Sequence, residues 1–314
     1  MKLPGPVIAI VGPTASGKSA LAELVAEKLG DDVISVDAMQ VYRGMDIGTA
    51  KTPVEDRRVP LRMVDVCEPG TDYSVQLFQQ DCRAIVDEEI LHGCTPVLCG
   101  GTGLYLNAVI DEMDFPRGEK GDAKRSAYEE MAEQLGAEGL HKELEKRDAA
   151  SAALIHPNNV RRVVRALEML DEGKSYAEHN KGLKSRSPHY DARIWGLCMN
   201  RARLYGRIEA RVDQMMSEGL LDEVERLAVS GLTRESTAGQ AIGYKEILDY
   251  LDGSCSLDEA VDTIKMRTRR YAKRQISWFK NDGRVNWLDL DVHALEEACD
   301  AVVSSLQVDG EVNR

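Results

Sequence analysis

Residues 12–19 have the side chains and spacing needed to bind a phosphate group, because they match the pattern G-x-x-x-x-G-K-[ST] at every fixed position. The glycines let backbone N–H groups close around an anion, and a helix starting here adds partial positive charge. Lys18 adds a full charge, and the Ser19 hydroxyl is a ligand for magnesium. We predict a di- or triphosphate site formed by Gly12, Pro13, Thr14, Ala15, Ser16, Gly17, Lys18 and Ser19.

The flanking sequence predicts a strand before this loop and a helix after it. Residues 7–11 form an apolar, β-branched run typical of a buried strand. Residues 19–29 are amphipathic, and Gly30 is placed to end them as a helix. This strand–loop–helix context favours a phosphate site over a glycine-rich turn with a chance lysine.

Two further strand ends carry polar side chains. Residues 33–36 predict a short strand that ends at Asp37, and residues 95–99 predict another that leads into a glycine turn containing Thr102. Residues 75–91 predict the helix between them. Strands alternating with helices indicate a parallel sheet, whose ligands lie beyond the carboxyl ends of the strands. We therefore expect the phosphate loop, Asp37 and Thr102 to meet in one crevice.

The alternation stops near residues 114–116. From there to about residue 190 the sequence is charged and helix-like, most clearly at residues 138–147 and 159–172, and a strand pattern returns at residues 194–199. We predict a first core part at residues 1–115, a helical insertion at 116–192, and a second core part at 193–314. The second part is predicted to have helices near 201–218, 220–230, 240–252 and 257–280 and a short strand at 285–288.

Composition indicates a cytoplasmic globular protein, which we expect to be a monomer. No apolar run has membrane-spanning length, and no signal-peptide pattern begins the sequence. The seven cysteines include no C-x-x-C pair, so they predict buried thiols of a reducing compartment rather than a structural zinc site. The net charge of −13 argues against nonspecific coating of nucleic acid.

One segment departs from this acidic balance. Residues 265–284, called the basic strip below, contain eight lysines and arginines and a single acidic residue, Asp282. A concentrated basic strip on an acidic protein indicates a local contact with a polyanion. A solvated helix face is the alternative, and composition alone leaves both open.

The segment after the second predicted strand narrows the function. Residues 37–51 read DAMQVYRGMDIGTAK, which resembles the signature of the tRNA dimethylallyltransferases, also called tRNA isopentenyltransferases. Similar stretches follow in order at residues 100–105, 156–162, 165–168, 207–208, 211–212, 219–220, 243–246 and 268–275. The sequence departs from the family pattern at Ala38, at Thr52 and at Leu61 with Arg62.

The resemblance implies a P-loop NTPase-like parallel sheet flanked by helices, with a helical insertion domain. It also implies transfer of a dimethylallyl group from dimethylallyl diphosphate to the exocyclic amine of the adenosine 3′ of the anticodon in tRNA. The loop, Lys18 and a Mg²⁺ ion on Ser19 would stabilise the departing diphosphate. Asp37 would act as general base, or alternatively hold the magnesium ion through bound water. Thr102 would bind the leaving oxygen or orient Asp37.

The resemblance also implies an arginine clamp on the diphosphate. Arg207 and Arg211 are four residues apart and share one helix face. Either could bind the diphosphate through two parallel hydrogen bonds. The alternative for this pair is surface ion pairing with Glu209 or Asp213.

For the RNA, the resemblance implies an adenine flipped into the site and a stem held by basic residues. Met39 and Gln40 would contact the adenine, and the insertion and the basic strip would hold the backbone of the anticodon stem-loop. The RNA-binding residues that we predict are Asp37, Ala38, Met39, Gln40, Arg161, Arg162, Arg165, Gly243, Tyr244, Lys245, Lys273 and Arg274.

Three other functions are compatible with a phosphate loop. A small-molecule kinase would hold ATP there but leaves the insertion and the basic strip unexplained. An enzyme that prenylates free adenine nucleotide would need neither feature. A nucleotide-gated RNA-binding switch would not need Asp37 and Thr102 at the phosphate end.

Overall fold

The computed structural model describes residues 3–115, 123–184 and 186–306, and the chain divides into two compact units. One unit combines Met1–Ile110 with Pro188–Arg314, and the other is Asp111–Ser187. Residues 116–122, at the start of the predicted insertion, lie outside the described residues, as do residues 307–314 of the predicted second core part.

The strands all belong to the first unit. They are β1 (Val7–Val11), β2 (Val33–Ser35), β3 (Leu61–Arg62), β4 (Val97–Gly100), β5 (Ala192–Cys198) and β6 (Val285–Asp289). The helices of both units, in chain order, are α1 (Lys18–Leu29), α2 (Val75–Leu91), α3 (Gly103–Ile110), α4 (Ala123–Arg147), α5 (Ala149–Ala152), α6 (Val160–Asp171), α7 (Tyr176–Lys184), α8 (Arg201–Ser217), α9 (Leu220–Val229), α10 (Tyr244–Leu251), α11 (Leu257–Lys280) and α12 (Leu295–Ser304).

Within the described residues, the strands form one six-stranded parallel sheet in the order β3-β2-β4-β1-β5-β6. β1 is central and pairs with β4 on one side and with β5 on the other. All five of its residues are buried, as expected of a parallel strand covered on both faces. The predicted α/β fold is confirmed, and β2, β4 and β1 are adjacent, so their carboxyl ends meet at one edge.

Alternation along β1 divides the core of this unit between the two faces of the sheet. Ile8 and Ile10 pack with Leu21 and Val25 of α1 and with Val302 of α12. The other face is larger and is covered by buried side chains of α2, α3, α8, α9, α10 and α11. Helices α8 and α11 thereby lie in the layer that also covers the phosphate loop.

Local sequence explains where the site-bearing helices begin and end. Helix α1 begins after Gly17, whose φ is 100°, and ends at Gly30, whose φ is 72°. Helix α11 begins at a capping box, because the Ser256 side chain accepts the Glu259 N–H while the Glu259 carboxylate accepts the Ser256 N–H. The predicted helix at 257–280 coincides with α11.

The second unit has a helical core of its own. Leu140 and Leu144 of α4 pack with Val163, Val164 and Leu167 of α6. No strand occurs in the part of this unit that the structure describes, in agreement with the absence of a β-branched run there. None of the described helices of either unit is both long and apolar enough to cross a bilayer.

Candidate active site

The phosphate loop lies between β1 and α1 with its tip covered. Ala15, at the tip, has a positive φ of 62° and is only 4% exposed. It packs in a small cluster with Leu204 and Ile208 of α8 and Ala272 of α11. Two helices from the far end of the sequence therefore fix the conformation of the loop.

Two side chains from those helices hydrogen-bond to the loop backbone. The Thr14 N–H donates to Gln275 Oε1 over 2.9 Å, and Arg207 Nε donates to the Ala15 carbonyl over 2.8 Å. The Thr14 amide thus has a protein partner and is not among the N–H groups left to face an anion. Ser16 Oγ, in contrast, is buried and has no hydrogen-bond partner within the described residues.

Lys18 is the first residue of α1 and lies in a partly desolvated position. Burial lowers the pKa of its ammonium group, and the nearby Arg211 guanidinium lowers that pKa further, while Cys99 and Asp37 act in the opposite direction. Partial desolvation against the cavity walls, together with Arg207, also lowers the pKa of Arg211, although the residue as a whole stays accessible to solvent. Each of these cations makes the protonated form of its neighbour less favourable, and a bound anion would relieve that repulsion. The cluster is therefore suited to binding an anion.

Asp37 and Thr102 follow the ends of the adjacent strands β2 and β4. Asp37 Oδ1 accepts the Met39 N–H over 2.9 Å, which closes a tight turn after the strand. The Thr102 hydroxyl oxygen accepts the Ala38 N–H over 3.3 Å, so it lies beside this turn. The residues that follow β2 and β4 thus lie next to each other in the structure, as the sequence predicted.

These groups line one cavity of about 340 Å³. Its polar lining includes five of the residues to which we assigned chemistry: Lys18, Ser19, Asp37 and Thr102 near the edge of the sheet, and Arg211 of α8. Its apolar wall includes Ile208, Val212 and Met215 of α8 and Ile264 of α11. The cavity therefore suits a molecule with an anionic head and a short apolar tail.

The acidic residues beside the two arginines have other partners. Glu209 accepts a 2.6 Å hydrogen bond from Arg269, and Asp213 pairs with Lys265 over 2.5 Å. Arg211 lines the cavity, whereas Arg207 braces the loop. Within the described part of the chain, neither Arg207 nor Arg211 forms the ion pair with Glu209 or Asp213 that the sequence left open as an alternative.

Hard oxygen atoms on the cavity wall could hold a divalent cation. Ser19 and Asp37 provide a hydroxyl and a carboxylate. No cluster of three or more His, Cys, Asp or Glu side chains suited to a metal occurs in residues 3–115, 123–184 and 186–306. A sparse protein ligand set suits Mg²⁺, which is commonly bound by one or two side chains, water and substrate phosphates.

Comparison with known proteins identifies the family. The family model described as IPP transferase matches residues 40–282, and one described as isopentenyl transferase matches residues 5–62. The chain belongs to the IPP transferase family.

Its relatives cover nearly the whole chain. A tRNA dimethylallyltransferase of Carboxydothermus hydrogenoformans is 45% identical over 96% of this chain and 97% of its own length. The Geobacillus kaustophilus enzyme of the same name is 45% identical over 98% of this chain and 99% of its own length. The predicted family is confirmed, and as a member of it the chain is a prenyl transferase.

Solved structures agree. A tRNA isopentenylpyrophosphate transferase from Bacillus halodurans is 42% identical, with a TM-score of 0.72 over 98% of each chain. A eukaryotic dimethylallyltransferase acting on tRNA is 29% identical, with a TM-score of 0.76 over 91% of this chain and 74% of the other.

Within this IPP transferase family member, the predicted RNA-binding residues 243–245 are largely internal. Tyr244 is fully buried, and its hydroxyl donates to Glu223 Oε1 over 2.5 Å, so direct contact between Tyr244 and RNA does not fit this structure. Lys245 is half-buried with Nζ 3.2 Å from Gln240 Oε1. Gly243, whose φ is 99°, caps α10 and lines the cavity.

The basic strip is divided between internal ion pairs and an exposed face. Lys265, Arg267, Arg269 and Arg284 pair with Asp213, Glu246, Glu209 and Asp282. Arg270, Lys273, Arg274 and Lys280 are exposed. The predicted contact with a polyanion is therefore open only to the exposed half of the strip. We call Arg270, Lys273 and Arg274 the outer face of α11, and Arg274 also lines the cavity and lies over the Tyr271 ring at 5.5 Å.

In the second unit, the three predicted arginines lie on α6. Arg161 and Arg162 are exposed in its first turn. Arg165 is half-buried with Nη1 3.3 Å from Glu168 Oε2. The first two remain candidates for RNA contact, while Arg165 serves an ion pair of the insertion.

The turn after Asp37 is also arranged by internal bonds. Gln40 Oε1 accepts from the Ser35 hydroxyl over 2.7 Å, and Gln40 Nε2 donates to the Thr49 carbonyl over 3.2 Å. Met39 and Gln40 both line the cavity, where the sequence predicted contact with an adenine. The departures from the family pattern, Ala38, Thr52 and Leu61, line it too, whereas Arg62 lies 3.4 Å from Asp32.

Two buried residues escaped the sequence analysis. Glu223, 2% exposed, accepts the N–H groups of Asp46, Ile47 and Gly48 and so fixes one edge of the cavity. Gln275, 4% exposed, links the phosphate loop to the glycine turn. Gln275 ends the stretch 268–275 that resembles the family, and its spacing after Thr268 and Tyr271 indicates one inward helix face, but no role was assigned to it.

Proposed function

We propose that this chain transfers the dimethylallyl group of dimethylallyl diphosphate to the exocyclic N6 amine of the adenosine 3′ of the anticodon in tRNA, with release of diphosphate. One observation carries the proposal: a single cavity joins the cations Lys18 and Arg211 to the carboxylate of Asp37 and to an apolar wall. A kinase site needs no such apolar wall beside its phosphates.

The donor would bind with its diphosphate at the loop and its five-carbon tail on the apolar wall. Lys18 and Arg211 would meet the phosphate oxygens, on which negative charge grows as the carbon–oxygen bond breaks. Mg²⁺ held by Ser19 and the phosphates would supply further charge neutralisation there. Desolvation of Lys18 strengthens its attraction for the anion.

The acceptor step needs a base, because an amine conjugated to an aromatic ring is a weak nucleophile. The N6 lone pair forms the new bond to C1 of the dimethylallyl group while the C1–oxygen bond breaks and its electrons leave with diphosphate. The proton from N6 would pass to the carboxylate of Asp37. Thr102, beside the Asp37 turn, would orient that carboxylate or bind the departing oxygen.

The adenosine would enter from an unpaired loop, where flipping a base out of the stack costs least. The outer face of α11 would hold backbone phosphates near the cavity, and Arg161 and Arg162 of the insertion would contact the stem. We expect the enzyme to act as a monomer in the cytoplasm.

The test is a competition among acceptors and donors. The purified protein is incubated with dimethylallyl diphosphate, Mg²⁺ and either unmodified tRNA or free AMP, and in parallel with ATP and tRNA. Nucleoside mass spectrometry should detect N6-dimethylallyladenosine only in the tRNA digest. Prenylated AMP, or a phosphorylated product with unprenylated tRNA, would overturn the proposal.

A further inference from the structure

Gln275 joins two loops of the candidate active site through a single side-chain amide. Its Oε1 accepts the Thr14 N–H over 2.9 Å, and its Nε2 donates to the Gly101 carbonyl over 3.0 Å. Thr14 belongs to the phosphate loop, and Gly101 to the glycine turn that leads to Thr102. The two loops follow the adjacent strands β1 and β4, and this side chain adds a direct link between them beyond the last strand pair.

The chemistry of these bonds requires an amide. An ionised glutamate could accept from Thr14 but has no proton to donate to a carbonyl, and methionine of similar length has no donor and only a weakly accepting sulfur. The fit is also steric, because a Cβ added to Gly101 would lie 2.0 Å from Gln275 Nε2. Glycine at position 101 thus leaves the space that the amide fills.

Gln275 is on the helix that presents cations to solvent. Tyr271 and Gln275, one turn apart on α11, line the cavity, while Arg270 and Lys273 on the same helix are exposed. Gln275 is 4% exposed and held at both ends of its amide, so it cannot shift independently of the loops. Helix α11 thereby connects an exposed cationic face to the diphosphate loop.

We propose that Gln275 is a positioning residue through which RNA on the outer face of α11 and diphosphate on the phosphate loop strengthen each other's binding. This inference rests on the proposed function. RNA phosphates would fix α11, α11 would fix the Thr14 amide through Gln275, and the loop would then be held in the geometry that binds the donor. By thermodynamic linkage, donor diphosphate tightens RNA binding by the same factor.

The first experiment measures this coupling directly. Inorganic diphosphate with Mg²⁺ is titrated calorimetrically into the full-length protein, with and without a saturating unmodified anticodon stem-loop RNA. For the wild type we expect RNA to tighten diphosphate binding by about tenfold, a typical coupling. For Gln275→Met we expect a factor of about two or less, with the Kd for RNA alone unchanged.

A matched control is Gln214→Met on α8, where the glutamine is exposed; it should keep the wild-type factor. A wild-type factor near one, or a Gln275→Met protein with the wild-type factor, would overturn the inference while leaving the proposed function standing. A wild type that binds neither ligand would overturn both.

A second experiment uses the steric fit and does not depend on calorimetry. Gly101→Ala should displace the Gln275 amide and raise the KM for dimethylallyl diphosphate by about tenfold, with a smaller change in kcat. In a Gln275→Ala background the amide is absent and the nearest remaining neighbour of the new Cβ is the Gly12 carbonyl oxygen, at 3.2 Å, so Gly101→Ala should have a much smaller effect. Equal effects of Gly101→Ala in both backgrounds would contradict the proposed role, and thermal unfolding of each variant separates it from loss of fold.

Discussion

Arg207 and Ala15 are joined by a 2.8 Å hydrogen bond from Nε to the carbonyl oxygen at the tip of the phosphate loop. Arg211, one turn further along α8, lines the cavity instead. Two arginines on one helix face therefore have different tasks: Arg207 braces the loop, and Arg211 is free to meet the donor.

This division predicts different kinetic effects. Arg211→Ala should lower kcat/KM for dimethylallyl diphosphate by about 10- to 100-fold, because a charge-assisted bond to the diphosphate is worth about 1.5–3 kcal/mol. Arg207→Ala should lower the melting temperature by a few degrees and mainly raise the donor KM. Steady-state kinetics with thermal unfolding of both variants checks this. An Arg211→Ala enzyme with wild-type donor kinetics would contradict the clamp.

The outer face of α11 predicts a salt-dependent RNA contact. Lys273→Ala with Arg274→Ala should weaken RNA binding and reduce the slope of log K against log salt concentration by about one to two, as two phosphate contacts require. Fluorescence anisotropy at several salt concentrations measures both. Lys28→Ala with Arg58→Ala removes the same charge from residues that do not line the cavity, and should change little. Identical slopes for the two double variants would show that the outer face of α11 does not contact RNA phosphates.

The burial of Tyr244 predicts a structural rather than an RNA-binding role. Tyr244→Phe removes one of the hydrogen bonds to the buried Glu223 carboxylate and should cost about 1–2 kcal/mol of unfolding free energy. The Kd for the anticodon stem-loop should stay within about twofold of the wild-type value, because the ring remains in place. Urea unfolding and RNA anisotropy measure the two quantities. A large loss of RNA affinity without loss of stability would reverse this assignment.

Glu89 predicts a pH dependence of stability away from the cavity. Its carboxylate is buried, with no hydrogen-bond partner within the described residues, and burial raises its pKa to about 7; Asp31, Asp32 and Glu88 raise that pKa further and Arg62 opposes them. Between the unfolded pKa and about 7, the folded protein holds the proton more tightly than the unfolded chain does. Stability from this group is therefore present below the unfolded value and lost as pH rises through about 7.

Glu89→Gln should remove the loss of stability that ionisation of Glu89 causes as pH rises. The variant should be about 1–3 kcal/mol more stable than the wild type at pH 8 and nearly equal to it at pH 5. Chemical denaturation at both pH values measures the difference, and Glu225→Gln, an exposed carboxylate on α9, is the control. A constant difference between variant and wild type across this range would refute the assignment.

The sequence predicted the parts of this molecule that follow from local pattern. The apolar run at Val7–Val11 predicts a strand, and the glycine-rich loop and Asp37 each mark the end of one. In a parallel sheet such ends lie at the same edge, so they can be placed together without knowledge of side-chain packing. The two-residue strand β3, Leu61–Arg62, was missed because so short a run has no periodicity to recognise.

Long-range contacts account for the rest. The bonds from Gln275 and Arg207 to the loop cross 261 and 192 residues, and no spacing rule encodes such a distance. Tyr244 lies in a stretch that resembles the sequence pattern of the family. The resemblance indicates that the residue matters, but it does not indicate whether the hydroxyl contacts RNA or Glu223. The ion pairs of Lys265 and Arg269 were not predicted because their acidic partners, Asp213 and Glu209, lie on another helix, α8.

The most direct measurement of the central claim is a single-turnover assay that follows N6-dimethylallyladenosine and diphosphate together. In the wild type the two products should form at the same rate and in equal amounts. Asp37→Asn should slow both by about 10²- to 10⁴-fold while the Kd for RNA stays nearly unchanged, because asparagine keeps the shape of the side chain but cannot take up the proton. An Asp37→Asn enzyme with the wild-type rate, or diphosphate release without prenylated adenosine, would contradict the account.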